Sequence, residues 1–238
     1  MFAITSVARS RGWPALYQMR QMRPRRHGSA ASLVLATLVA AATAINCVTI
    51  SNAAARTDGG PMETVRTMVD HSLAILRDSH TPAPQRRRQL RAVIEPSFDF
   101  AQMSRSALGY HWRSLSPSQR AEFTRLFTAF IEDAYLSKIQ GYSGQQVIVD
   151  RQRSLGQGYV EVDTRIVQQG KAPIPANYLL EQADGGWKIY DVTVDAISIT
   201  ANYRNQFNRV MNERGFDKLM ADLKAKQQEL ASLLGSPS

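Results

Sequence analysis

The chain has 238 residues, 29 lysines and arginines against 20 acids for a formal net charge of +9, and a single cysteine. That length accommodates one domain or two small ones. Six of the basic residues, Arg9, Arg11, Arg20, Arg23, Arg25 and Arg26, lie in the first 27 positions with no acid among them, so the remainder carries 23 basic against 20 acidic residues, and the headline charge is no argument for a nucleic-acid partner, which demands clustered Lys and Arg on the folded domain.

The basic start runs into an uncharged stretch from Gly28 to Ala55, apolar at its centre from Ala31 to Ile45, and Ala53-Ala54-Ala55 supplies the small residues that signal peptidase reads. Residues 1–55 are expected to be a signal peptide cleaved near Ala55, leaving 56–238 as one exported domain. Retention as an anchor is the alternative, since the uncharged run approaches a bilayer's thickness. Cys47 lies inside this segment, so the exported domain has no thiol and is held by its apolar core alone, which suffices at about 180 residues because such domains bury roughly 70% of their unfolded surface.

Val65, Met68, Val69, Leu73 and Leu76 recur at helical spacing and predict a helix from Pro61 to about Ser79. Thr81-Pro82-Ala83-Pro84 interrupts it, and a second helix runs to about Ile94. That helix carries Arg86-Arg87-Arg88 with Arg91, the one dense basic cluster after the leader, which reads either as a solvated face or as a contact for anionic headgroups or an acidic partner. A third helix is expected over Phe98 to Ala107. Ser116-Pro117-Ser118-Gln119 is a helix start, with a capping serine, proline in the first turn and a glutamine able to reach back. From there to Ile139, Phe123, Leu126, Phe127, Phe130 and Ala134 form one apolar stripe.

The period then becomes two, predicting strands at Gln146 to Arg153, Tyr159 to Val167, Ile174 to Gln182 and Trp187 to Val194, with Asp184-Gly185-Gly186 the clearest hairpin turn between them. Val160, Val162 and Ile166 alternate with Glu161, Asp163 and Arg165, so one sheet face is buried and one wet. Two helices split by Gly215 close the chain. Helices, then strands, then helices argue an α+β domain with helices on one face of a curved antiparallel sheet of about four strands.

After residue 55 there is no phosphate-cradling glycine loop, zinc-spaced Cys/His set, GxSxG elbow or HExxH helix. No catalytic group, metal or cofactor is expected. His111 is the one histidine worth weighing as a base, with Asp99 or Asp163 to orient it; the other reading is a partly buried structural histidine. Phe98, Phe100, Met103, Leu108, Tyr110 and Trp112 precede the phenylalanine stripe, and Tyr135 and Tyr142 follow it. Such a set suits either an ordinary core or the lining of a pocket.

Two blocks carry a family resemblance. Phe98-Asp99-Phe100-Ala101-Gln102-Met103-Ser104-Arg105, Leu108-Gly109-Tyr110-His111-Trp112 and the Ser116-Pro117 helix resemble the N-terminal half of the MlaC family, and Asp184-Gly185-Gly186-Trp187-Lys188-Ile189-Tyr190-Asp191-Val192 with Ala201-Asn202-Tyr203-Arg204-Asn205-Gln206-Phe207 is similar to its C-terminal half. Asp195-Ala196-Ile197-Ser198-Ile199 departs from it, since the family often has glycine where Ala196 stands. The resemblance implies a fold related to nuclear transport factor 2 and a periplasmic phospholipid-binding shuttle of the Mla, or toluene-tolerance, ABC transport system. Such a shuttle passes lipid between an outer-membrane lipoprotein complex and an inner-membrane ABC transporter complex and so maintains outer-membrane lipid asymmetry. An envelope protein for hopanoid-type lipids, or a lipid-modifying enzyme on the same scaffold, are the alternatives.

A carrier of this kind works by burial, because acyl chains gain about 0.8 kcal/mol per methylene and two chains of ~16 carbons represent about 25 kcal/mol. The tails are expected between sheet and helices, against Phe127, Phe130, Tyr135, Val147, Val160, Val162, Tyr178, Leu180, Tyr110 and Trp112. Arg105 and Arg204 are the candidate headgroup or partner contacts.

Overall fold

The computed structural model describes residues 59–139, 142, 144–183 and 185–235. The expected signal peptide, its cleavage point, Cys47 and Asp184 lie outside these residues. Four helices come first: α1 (Pro61–Arg77), α2 (Ala83–Ile94), α3 (Phe100–Leu108) and α4 (Pro117–Ile139). Local chemistry sets their limits. Between α1 and α2 the Asp78 carboxylate accepts from the His80 amide at 2.9 Å and the Thr81 hydroxyl at 2.6 Å, turning the chain before Pro82 opens α2. Asp99 caps α3 through the Gln102 amide at 2.7 Å. The capping box of α4 is complete, Ser116 Oγ accepting from the Gln119 amide at 3.2 Å and Gln119 Oε1 from the Ser116 amide at 2.9 Å.

The strands β1 (Gln146–Gly156), β2 (Tyr159–Val167), β3 (Ile174–Ala183), β4 (Gly186–Val194) and β5 (Ile197–Ser198) pair in chain order, all antiparallel, and α5 (Ile199–Leu233) follows. The fifth strand is a two-residue addition to the four expected. A two-residue turn makes it, with Asp195 at φ 49° and Ala196 at φ 64°, the left-handed pair that a tight hairpin requires. This is the position where the sequence departs from the family pattern, and alanine adopts the required backbone at a steric cost. Ala196→Gly is expected to raise stability by about 0.5–1 kcal/mol, the relief of left-handed strain less the added freedom of the unfolded chain. A shift in the urea midpoint at unchanged slope measures it. The two expected C-terminal helices form α5, bent at Gly215, whose φ of 78° and ψ of −178° interrupt the helical backbone.

The outer face of the sheet is a ladder of charges. Arg151 and Arg153 on β1 pair with Asp163 and Glu161 on β2, and Arg165 reaches back to Asp150. The inner face carries Val162, Thr164, Ala176, Leu180 and Ile189, all buried. Behind it α4 and α5 lock together through aromatic rings, Phe127 meeting Tyr203 and Phe207 edge-on at 5.7 Å each, and Phe130 meeting Tyr203 at 5.4 Å. Asp191 of β4, buried to 7% exposure, accepts from the Thr200 amide at 3.1 Å and from the Ser198 hydroxyl, while Ser198 Oγ caps α5 at the Ala201 amide. This knot fixes the start of α5 and brings Ile199 under the sheet.

Candidate functional site

A cavity of about 410 Å³ opens between the inner face of the sheet and the helices. It is far larger than the packing gaps of ordinary interiors and falls among ligand pockets, which span about 300–1,000 Å³. Alternate residues of four strands form one wall: Val147 of β1, Ile166 of β2, Ala176 and Tyr178 of β3, Val192 and Val194 of β4. The opposite wall is the apolar stripe of α1, from Met68 to Leu76, with Ile131, Tyr135 and Leu136 of α4. Phe98, Phe100, Met103 and Ile199 complete it. Val147, Ile166, Tyr178 and Val194 are only half-buried although they face inward, because the space in front of them holds no side chain. Burial pushes the Tyr178 phenol up to about 12 and the Tyr135 phenol higher still, so both are neutral hydrogen-bonding groups at any physiological pH.

Among the described residues of the lining, the ionic groups are Arg91 and Glu132. Arg91 Nε lies 3.3 Å from Glu132, its Nη2 meets Asp133, and Asp133 also accepts from Gln227 of α5 at 2.9 Å. Burial first, and then Glu95 beside it, push the Glu132 carboxyl up to about 7 against the opposing pull of Arg91. Its Oε1 is buried without a hydrogen bond among the described residues. The unfolded chain releases this proton near the ordinary value of 4.5, whereas the folded protein holds it to about 7. The native state therefore binds the extra proton between those limits, and stability falls as pH rises through them. Glu132→Gln is expected to flatten that slope and, above pH ~7, to be more stable than the wild type by about 1–2 kcal/mol after allowance for solvent screening. Denaturant titrations across the interval measure it.

Of the residues expected from sequence, Tyr135, Val147 and Tyr178 stand on the cavity wall. Phe127 and Phe130 do not; they face α5 and fill the aromatic core, because the stripe that makes α4 amphipathic packs helix on helix, while its neighbouring face, Ile131 and Tyr135, borders the cavity. Val160, Val162 and Leu180 are buried on the inner face of the sheet but are not on the cavity wall, although Val162 stands directly opposite Tyr178, which is. Tyr110 is 62% exposed and donates to Asn212 Oδ1 at 2.8 Å. Trp112 lies under the Arg120 guanidinium, which also binds its carbonyl. Both hold the segment before α4 in place and are not on the wall.

Arg105 and Arg204 lie off the cavity wall as well. Arg105 is exposed and acts on Glu181. Arg204 packs over Gly109 and donates Nε to the Ser106 carbonyl at 2.6 Å, closing the end of α3. The ring of His111 lies tilted against Tyr110 at 3.9 Å between centroids, and both carboxylates considered for it are engaged elsewhere, Asp99 as the α3 cap and Asp163 with Arg151. The α1 stripe, Ile131, Leu136, Ile166, Ala176, Val192, Val194 and Ile199 are wall residues that sequence reasoning did not single out as a site. Their spacing announces burial, and only three-dimensional packing shows that what they border is empty.

Residues 66–225 match the sequence model of the MlaC protein family. The chain is 23% identical over 180 residues to the intermembrane phospholipid transport system binding protein MlaC of Haemophilus influenzae, covering 72% of this chain and 82% of the relative. It is 26% identical over 129 residues to toluene tolerance protein ttg2D of Pseudomonas putida, covering 54% and 60%. A solved phospholipid-binding protein from Ralstonia solanacearum, in complex with a phospholipid, superposes with a TM-score of 0.66 at 26% identity, covering 73% of this chain and 99% of that one.

Proposed function

Because the chain belongs to the MlaC family, we propose that it is a periplasmic phospholipid carrier whose acyl chains occupy the cavity between α1, α4 and the sheet. The observation that carries this reading is the cavity itself, about 410 Å³ of almost wholly apolar lining between the sheet and the helices. Chains in that space are held by exclusion from water, at about 0.8 kcal/mol per methylene. Because chains present few hydrogen-bonding groups, the site discriminates weakly among lipids. Tyr135, Val147, Tyr178, Met68 and Leu73 contact the chains in this reading.

Residues 1–55 serve as the export signal, removed near Ala55. The carrier exchanges its cargo with an outer-membrane lipoprotein complex and an inner-membrane ABC transporter complex, and so supports outer-membrane lipid asymmetry. The chemistry is binding and release; no bond of the lipid is made or broken. The experiment is organic extraction of the purified protein followed by mass spectrometry, where near-stoichiometric phospholipid is expected. Protein that emerges empty and takes up no lipid from vesicles would sink the proposal, and a hopanoid-type lipid in the extract would replace the cargo.

A further inference from the structure

Beside the apolar cavity, sharing Leu76, Leu136 and Tyr142 with it, lies a smaller chamber of about 200 Å³. Its remaining walls are Ser79 and the first turns of α2, including Arg86 and Arg87. Arg87 is only 5% exposed, yet its side chain makes no hydrogen bond or ion pair among the described residues. A guanidinium held largely out of water without a counter-charge is costly. One turn further along the same face, Arg91 meets the identical need internally through Glu132 and Asp133. Arg86 donates to the Asp78 carbonyl at 3.0 Å, while the Asp78 carboxylate accepts from His80 and Thr81 and forms no ion pair with either arginine. The start of α2 carries no side-chain cap, and its positive end adds to the field.

We propose that this chamber binds the phosphate of the carried lipid, with Arg87 as its direct partner and Arg86 beside it, while the acyl chains lie in the adjoining cavity. This inference rests on the carrier reading above. A phosphate supplies what the site lacks, an anion with a planar edge of acceptors for a guanidinium. The shared wall of Leu76, Leu136 and Tyr142 then marks the step from polar headgroup to apolar chain. The basic run of α2 is in this way divided: Arg88 is exposed, Arg91 is spent inside the fold, and Arg87 is kept for the ligand.

The test compares two lipids with the same chains. Delipidated protein in dilute detergent is offered radiolabelled dioleoyl phosphatidylglycerol or radiolabelled dioleoylglycerol, which has no phosphate. Arg87→Gln is expected to lower uptake of the first at least tenfold and to leave the second within twofold, while Arg87→Lys keeps most of the uptake and Arg88→Gln changes neither. The lipid-free Arg87→Gln protein is expected to melt at or above the wild-type temperature, because it no longer buries an unpaired charge. Equal loss with both lipids, or no loss with either, overturns the headgroup site and leaves the carrier reading standing. Wild-type protein that takes up neither lipid overturns both. Inorganic phosphate that protects the wild type from melting, with lipid uptake independent of Arg87, assigns the chamber to a free anion and overturns the proposal as stated.

Discussion

Ala176→Phe is expected to empty the carrier of lipid without harming its fold. Ala176 is 3% exposed and its methyl group borders the cavity from the middle of the sheet. A phenyl ring there occupies space that the proposed function gives to acyl chain, displacing about five methylenes at about 0.8 kcal/mol each. A loss near 4 kcal/mol corresponds to more than a hundredfold in affinity, so lipid recovered per protein should drop at least tenfold. Stability of the lipid-free protein should hold or rise, since the ring fills a void rather than crowding a packed core. Mass spectrometry of extracts, read beside thermal melts, checks both halves. Undiminished lipid in a folded variant would mean that chains lie elsewhere.

Phe127→Ala is expected to do the reverse. Phe127 is fully buried and touches Phe123, Tyr203 and Phe207, and its truncation leaves a hole at the junction of α4 and α5. Phe→Ala changes of this kind cost about 3–5 kcal/mol, a large share of a domain's total stability of about 5–15 kcal/mol. The urea midpoint should fall accordingly, while the lipid carried by each folded molecule stays close to wild type. Together the two substitutions separate cavity from core, two environments made of the same residue types.

That separation marks the limit of what the residues announce. The helix starts at Pro61 and Ser116 and the strand limits at Tyr159 and Ile174 follow from caps, proline and alternation, which are local forces acting within a few residues. Phe98 to Trp112, Asp184 to Val192 and Ala201 to Phe207 carry the family pattern, so both the α+β class and the family were legible in the sequence. The Asp195-Ala196 turn shows how far local reading reaches: the alanine flagged a departure, and the structure turned it into a strained hairpin with a fifth strand.

Amphipathicity tells a side chain to leave water, but it is silent about what the side chain meets inside. Phe127 and Tyr135 sit two turns apart on one helix, and one is sealed by α5 while the other borders a cavity. The same holds along the inner face of β2, where Val162 is packed solid and Ile166 faces empty space. Arg87 and Arg91 are identical residues one turn apart, and only the placement of Glu132 and Asp133 on α4 neutralises the second and not the first. Which apolar residues touch one another and which surround a void depends on the distance between elements far apart in the chain. Periodicity carries no record of that distance.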